Sequence, residues 1–291
     1  MNKETIAGIT YSKPTVILLQ ETGIGTAEYA ARTCYDSFDS SNNEAIPMLN
    51  IAVTEGQSYP EEIKSWTPIL NKTNHSDLLD KLAWTHFHHS ILEHANLTYL
   101  IKGTSRGVLQ EHARHRIQAI SVRSTRYTMQ DILHAFNVCS IAPYEHTKRT
   151  FHQLIQSMDM FIVQGLAETT EINALYDKLH HQLVTIGSDE FTTLTMSKSA
   201  QEVYANRDKF ESPTELFYAL QDCKAKRNVG DPLKWCVTDN WKVDMVVTFN
   251  LRSLKNYFQL RDSGSAYFQI RWLAQAMKEV TPSKYLDLIV K

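Results

Sequence analysis

Arg114-His115-Arg116 is followed by seven residues and then by Ser124-Thr125-Arg126-Tyr127. Between Lys102 and Gln130 stand five Arg, one Lys and two His against a single acid, Glu111. The whole chain carries a formal charge of −2, so this positive charge is local. Arg presents a planar fork of donors that matches phosphate, and a Ser hydroxyl with backbone N–H groups completes an anion cup. The segment therefore reads as a binding site for a phosphorylated small molecule.

Other residue types invite other chemistry. His86, His88, His89 and His94 raise the question of zinc, which needs three or four convergent ligands. No His-Glu-x-x-His motif accompanies them, and with twelve His in the chain some clustering is expected, so no metal is assigned. Ser124 as a nucleophile would need a base within reach and a third group to orient that base. Its cationic neighbours favour a phosphate-binding role instead. Arg252 and Asn256 lie four apart and share a helical face with Asn250 close by, as on a solvated surface or in a site. Arg261 is either a residue snorkelling from a helix end or a site residue.

These groups need elements to hold them. Thr15-Val16-Ile17-Leu18-Leu19 reads as a strand after Pro14, and 26–35 as a helix after Gly25. Residues 37–75, rich in Ser, Asn, Thr, Glu and Pro, read as loop. Ser76 or Asp77 caps a helix to about His86. Ala95, Leu97, Tyr99 and Ile101 alternate as in a strand. Thr104 or Ser105 opens a short helix on which Glu111 and Arg114 share a face, with the chain leaving it around 114–116 and running extended through 117–122. Unpartnered N–H groups there suit ligand binding. Residues 147–225 have helical periodicity, marked by Phe151, Leu154, Ile155, Met158, Phe161 and Ile162, with a start at Ser212-Pro213-Thr214-Glu215. Leu251, Leu254, Phe258 and Arg261 share one helical face; Phe268, Trp272 and Ala276 mark the next helix. One α/β domain is the simplest reading.

Bulk properties narrow the class. At 291 residues, 43% hydrophobic and 21% charged, the chain resembles an ordinary globular protein with a substantial core. No apolar run spans a bilayer, and the first residues do not form a secretion signal. Cys34, Cys139, Cys223 and Cys236 are scattered without a Cys-x-x-Cys pair, which fits a reducing cytoplasm. A pI near 6.6 argues against a dedicated nucleic-acid partner.

Arg-His-Arg, seven residues, then Ser resembles the signature of the flavin-dependent thymidylate synthase (ThyX) family. His88-His89-Ser90-Ile91-Leu92-Glu93-His94 is similar to that family's His-x-Ser/Thr-x-x-Glu-His segment. Asn250-Leu251-Arg252-Ser253-Leu254-Lys255-Asn256-Tyr257-Phe258-Gln259-Leu260-Arg261 is similar to its Asn-x-Arg-Ser-x-x-Asn-Phe-x-x-Leu-Arg segment. Three such segments in the right order are far more specific than one.

The resemblance implies an α/β fold of the α+β type: one domain over 1–291, with a central, mostly antiparallel sheet flanked by helices and a surface elaboration at 37–75. It implies reductive methylation of dUMP to dTMP, with methylenetetrahydrofolate supplying the carbon and NADPH reducing FAD. FAD binding falls to His88, Ser90, Arg114, His115, Arg116, Asn250, Leu251, Arg252 and Asn256, with Glu93 and His94 in support. The dUMP set is Glu111, Arg114, Val122, Arg123, Ser124, Thr125, Arg126, Lys234 and Arg261. Arg261 is the catalytic residue, contacting the pyrimidine and promoting ionisation at N3. No cysteine nucleophile is implied, and the family builds its sites between subunits of a homotetramer. This chain departs from the family in having Glu111 where many members have Gln, Val122 for a frequent Glu, Arg123 for an apolar residue and Lys234 for the usual Arg. A metal-dependent hydrolase using the His86–His94 cluster and a nucleic-acid-binding module using the Lys102–Arg126 patch are the rival readings.

Overall fold

Apolar residues alternate with polar ones through Leu97, Tyr99 and Ile101, and again through Val243, Met245, Val247 and Phe249. Period-two alternation gives a strand with one buried face. A computed structural model has strands at both places; it describes residues 2–55, 67–71, 76–125, 131–132, 135–136, 144–186, 198–211, 215, 219, 222–223 and 236–291. The strands there are β1 (Lys3–Ile6), β2 (Ile9–Ser12), β3 (Thr15–Glu21), β4 (Asn96–Ser105), β5 (Ala119–Val122), β6 (Val163–Gln164) and β7 (Lys242–Asn250). All their pairings are antiparallel. The main sheet has the order β3-β4-β7-β5, and a smaller one the order β1-β2-β6.

The α-helices whose bounds fall among the described residues are α1 (Gly25–Tyr35), α2 (Ala45–Thr54), α3 (Thr67–Leu70), α4 (Asp77–Trp84), α5 (Arg106–His112), α6 (Tyr144–Ser157), α7 (Leu166–Ile186), α8 (Lys198–Ala205), α9 (Leu251–Arg261), α10 (Phe268–Val280) and α11 (Ser283–Ile289). Among the described residues, α4, α5 and α9 begin on a side-chain cap, which satisfies an N–H that has no partner inside the helix. Ser76 accepts from the Leu79 N–H, Ser105 from the Val108 N–H and Asn250 from the Ser253 N–H. No helix among the described residues is long and apolar enough to cross a membrane.

One face of the main sheet buries Leu97, Tyr99, Ile101, Met245, Val247 and Phe249 against Ala27, Leu79, Leu254, Phe258, Ile270, Leu273 and Tyr285 of the helices. Each Leu, Ile, Val, Met or Phe among them contributes about 1.5–3 kcal/mol when fully buried, and because Val108 of α5 joins the same cluster, this face anchors α9 and α5 relative to each other. A second cluster joins α6 and α7 through Phe151, Ile155, Leu175, Tyr176 and Leu179, with Phe161 and Trp241.

Two expectations need correction. Residues 37–75 are not all loop: Ala45–Thr54 is helical, because the Asn43 Oδ1 accepts the Ala45 N–H and Ile46 is fully buried beside Tyr29, Phe38 and Leu70. The close packing reaches Gly25, where a Cβ would collide with the Leu70 carbonyl oxygen. The helical series through Phe161 and Ile162 also breaks early. α6 ends at Ser157, Asp159 takes a positive φ of 50°, and the Ile162 N–H and C=O bond Asn240 and Ser12 in extended chain. Ser212-Pro213-Thr214 lies outside the described residues.

Candidate active site

β7 runs straight into α9, with Asn250 as the hinge between them. Because Leu251, Leu254, Tyr257 and Phe258 are buried, Arg252, Asn256 and Gln259 are turned away from the core. β4 runs as directly into α5, whose seven residues end at His112. The chain then turns so that Arg114–Ile117 face α9 across a cavity of about 970 Å³. Its lining includes Arg114, His115, Arg116, Arg252, Lys255, Asn256 and Arg261. Two segments far apart in sequence thus bring four Arg and one Lys to the lining of one space.

Arg261 is held from three directions. Its Nε donates to His115 Nε2 (2.9 Å), one terminal nitrogen to Glu111 Oε2 (3.0 Å), and the other to the Glu111 main-chain oxygen (3.2 Å). That carbonyl belongs to the last turn of α5, where helix carbonyls lack intrahelical partners and a cation is favoured by the helix dipole. The Arg261 side chain is 17% exposed and that of Glu111 32%, so the ion pair is partly shielded. Glu111 is an acceptor here, as an ionised carboxylate must be.

His115 accepts with Nε2 and is therefore neutral, with its proton on Nδ1. Burial, then the charges of Arg261 and Arg114, push its pKa down to about 4. Its ring meets that of Tyr257 edge-on, with centroids 4.8 Å apart. Tyr257 is fully buried, and its hydroxyl lies 3.1 Å from the Nδ1 of His112, which is also fully buried. Burial, then the neighbouring His115, lower the His112 pKa to about 4.

A smaller cavity of about 420 Å³ adjoins the first; His88 and Ser90 line it, and His89 and Arg252 border both. His88 Nδ1 bonds the Tyr35 hydroxyl, and Arg252 pairs with Glu93 at 2.6 Å. The Lys255 ammonium sits over the Trp84 ring and contacts His89 Nε2. Burial, then Lys291, lowers its pKa. No group of three His, Cys, Asp or Glu able to hold a metal occurs among the described residues.

Of the FAD residues expected from sequence, Arg114, His115, Arg116, Arg252 and Asn256 meet in the large cavity, and His88 and Ser90 in its neighbour. Asn250 caps α9, and Leu251 is wholly buried in the core. Of the dUMP residues, Arg114 and Arg261 line the large cavity and Glu111 stands behind Arg261. Val122, Arg123, Ser124 and Thr125 are not in its lining, because β5 leaves along the edge of β7 and the Arg123 N–H continues that pairing to Asp244. Arg126 and Lys234 lie outside the described residues. Sequence reasoning missed Lys255, Tyr257 and His112. Spacing offered a signal for two of them: Lys255 is three residues from Arg252, and Tyr257 four from Arg261.

A mixed fold with an antiparallel sheet places a cation-lined cavity, electrostatically suited to an anion, at the ends of two helices. Residues 17–284 match the family described as "Thymidylate synthase complementing protein", and the chain belongs to that family. The flavin-dependent thymidylate synthase of Wolinella succinogenes is 25% identical over 274 residues, covering 93% of this chain and 95% of that protein. The enzyme of the same name from Campylobacter jejuni is 26% identical over 270 residues, covering 93% of each. In fold, the chain is similar to the crystal structure of thymidylate synthase X from Helicobacter pylori with FAD and dUMP, with a TM-score of 0.55, 21% identity, and 95% of this chain and 97% of that one covered.

Proposed function

We propose that this chain catalyses the reductive methylation of dUMP to dTMP, taking its carbon from methylenetetrahydrofolate and its reducing equivalents from NADPH through FAD. The coarser statement, an enzyme of the flavin-dependent thymidylate synthase kind, follows from membership of the family and from relatives aligned over nearly the whole chain. The observation that carries the finer reading is the gathering of Arg114, His115, Arg116, Arg252, Asn256 and Arg261 around one cavity.

The donor set fits FAD. Arg114, Arg116 and Arg252 offer guanidinium forks to a diphosphate, and Asn256 offers both a donor and an acceptor to a ring or ribose. The cavity is at the upper end of ordinary ligand sites, and its neighbour with His88 and Ser90 extends it. Bound flavin supplies hydride chemistry that no side chain can perform. The protein's share is binding, orientation and electrostatics. Arg261 stabilises negative charge developing on the pyrimidine in a partly shielded site, where a fixed cation acts more strongly than in water. Lys234 assists at the base; Arg114, Ser124 and Arg126 hold the phosphate, with Val122, Arg123 and Thr125 shaping that cup.

Because Val122–Thr125 lie off the cavity of their own chain, a site assembled between copies in a homotetramer accounts for them better than a site within one subunit. The test is the visible absorption spectrum of the purified protein after addition of FAD and then dUMP. A flavin spectrum shifted by dUMP puts both ligands in one site. No bound flavin under excess FAD would refute the proposal and redirect attention to the hydrolase reading.

A further inference from the structure

We propose that Glu111 and His115 act on this reaction through Arg261, as a two-point clamp that aims its guanidinium, and that Tyr257 braces the clamp. The inference rests on the function proposed above. A guanidinium has five N–H donors. Three are engaged, by His115 Nε2, Glu111 Oε2 and the Glu111 carbonyl. One N–H on each terminal nitrogen is then left for a ligand, in a group whose plane is already set. Pre-set donors are what electrostatic catalysis requires, because no reorientation is needed as charge develops.

Glu111 is poorly suited to touch the substrate itself. An ionised carboxylate cannot donate to a ring carbonyl, and it repels phosphate. Its carboxylate and its main-chain oxygen both point at Arg261. His115 can serve only as a neutral acceptor, and its environment holds it neutral: burial first, then the charges of Arg261 and Arg114, oppose a positive charge on the ring. The brace comes from α9 itself. Tyr257 lies one turn before Arg261 on the same face, its ring edge-on to His115 and its hydroxyl bonded to His112. His112, Tyr257, His115, Arg261 and Glu111 thus form one continuous contact chain linking the end of α5 to the end of α9. A shift of either helix end would re-aim the guanidinium.

A double-mutant cycle separates action through Arg261 from direct contact with substrate. The dUMP dissociation constant would be measured from the flavin spectrum for wild type, Glu111→Ala, Glu111→Gln, Arg261→Ala and the Glu111→Ala/Arg261→Ala pair, with bound FAD as the folding control. Glu111→Ala should weaken dUMP about tenfold, the loss expected on removing a charge-assisted hydrogen bond. Glu111→Gln, whose amide oxygen still accepts from Arg261, should recover most of that loss. In the Arg261→Ala background, Glu111→Ala should cost less than about twofold, because its route to the substrate is already gone. Additive losses in the double variant, or a Gln variant no better than Ala, would overturn the clamp while leaving the proposed function standing. A wild-type flavin spectrum indifferent to dUMP would overturn both.

Discussion

Lowering the pH from 7 to 5 should destabilise this protein through His112, by an amount the structure allows to be worked out. The ring is fully buried, its Nδ1 is bonded to Tyr257, and its Nε2 is without a hydrogen-bond partner among the described residues. Burial and His115 lower its pKa from 6.5 to about 4. A folded-state pKa below the unfolded one means that the unfolded chain binds more protons across that interval, so stability rises with pH. The contribution is present above about 6.5 and is lost as the pH falls through about 4. For one group with these two values, linkage between pH 7 and pH 5 gives a loss of about 2 kcal/mol. His115 shifts the same way and adds less, because solvent reaches part of its ring. The assay is urea unfolding followed by tryptophan fluorescence at both pH values, for wild type and His112→Gln at one protein concentration. Gln keeps a partner for the Tyr257 hydroxyl but does not titrate. Wild type should lose about 2 kcal/mol more than the variant over this interval. Parallel losses, within about 0.5 kcal/mol of each other, would refute the assignment of a buried neutral imidazole.

Further outcomes test the site and its scaffold. Arg261→Ala should abolish dTMP formation while FAD stays bound; normal turnover would remove Arg261 from the chemistry. Ser124→Ala should weaken dUMP binding about tenfold, and an unchanged affinity would take Ser124 out of the phosphate site. Asn250→Ala should cost about 1 kcal/mol through the lost cap of α9, read as a lower melting temperature, and no change would contradict that role. The Arg252–Glu93 pair is exposed on both sides, at 55% and 45%. Arg252→Ala should therefore alter stability by less than about 1 kcal/mol yet lower FAD affinity; the reverse pattern would make the residue structural.

Local signals in the chain were enough for much of the frame. The alternation from Leu97 to Ile101, the helix starts at Ser76 or Asp77 and at Thr104 or Ser105, and the buried offsets at Leu251, Leu254 and Phe258 each act within a few residues, so they can be read without a fold. The spacing of Arg114-His115-Arg116 and of Arg252 and Asn256 likewise identified residues that do meet at one cavity. Local rules failed where a tertiary contact outweighed composition. α2 is an apolar run, Ala45–Val53, hidden between polar flanks, and Ile46 fixes it by entering a small core. The periodicity around Phe161 was overridden by pairing with Asn240 and Ser12.

The placement of charge lay beyond sequence. Asn250 and Leu251 belong to a motif that suggests ligand binding, yet one caps a helix and the other fills the core, and only burial tells them apart. The hydrogen bond from Arg261 to Glu111 joins residues 150 positions apart, and no local rule spans that distance. The chain by itself determined which residue types were available for anion binding and which helices and strands would carry them, because those follow from short-range sterics and periodicity. Which cation is clamped, which histidine must stay neutral and which loop turns away from its own cavity were decided only when two sheet-anchored helices brought their ends together, since hydrogen bonds and desolvation depend on distances that folding alone sets.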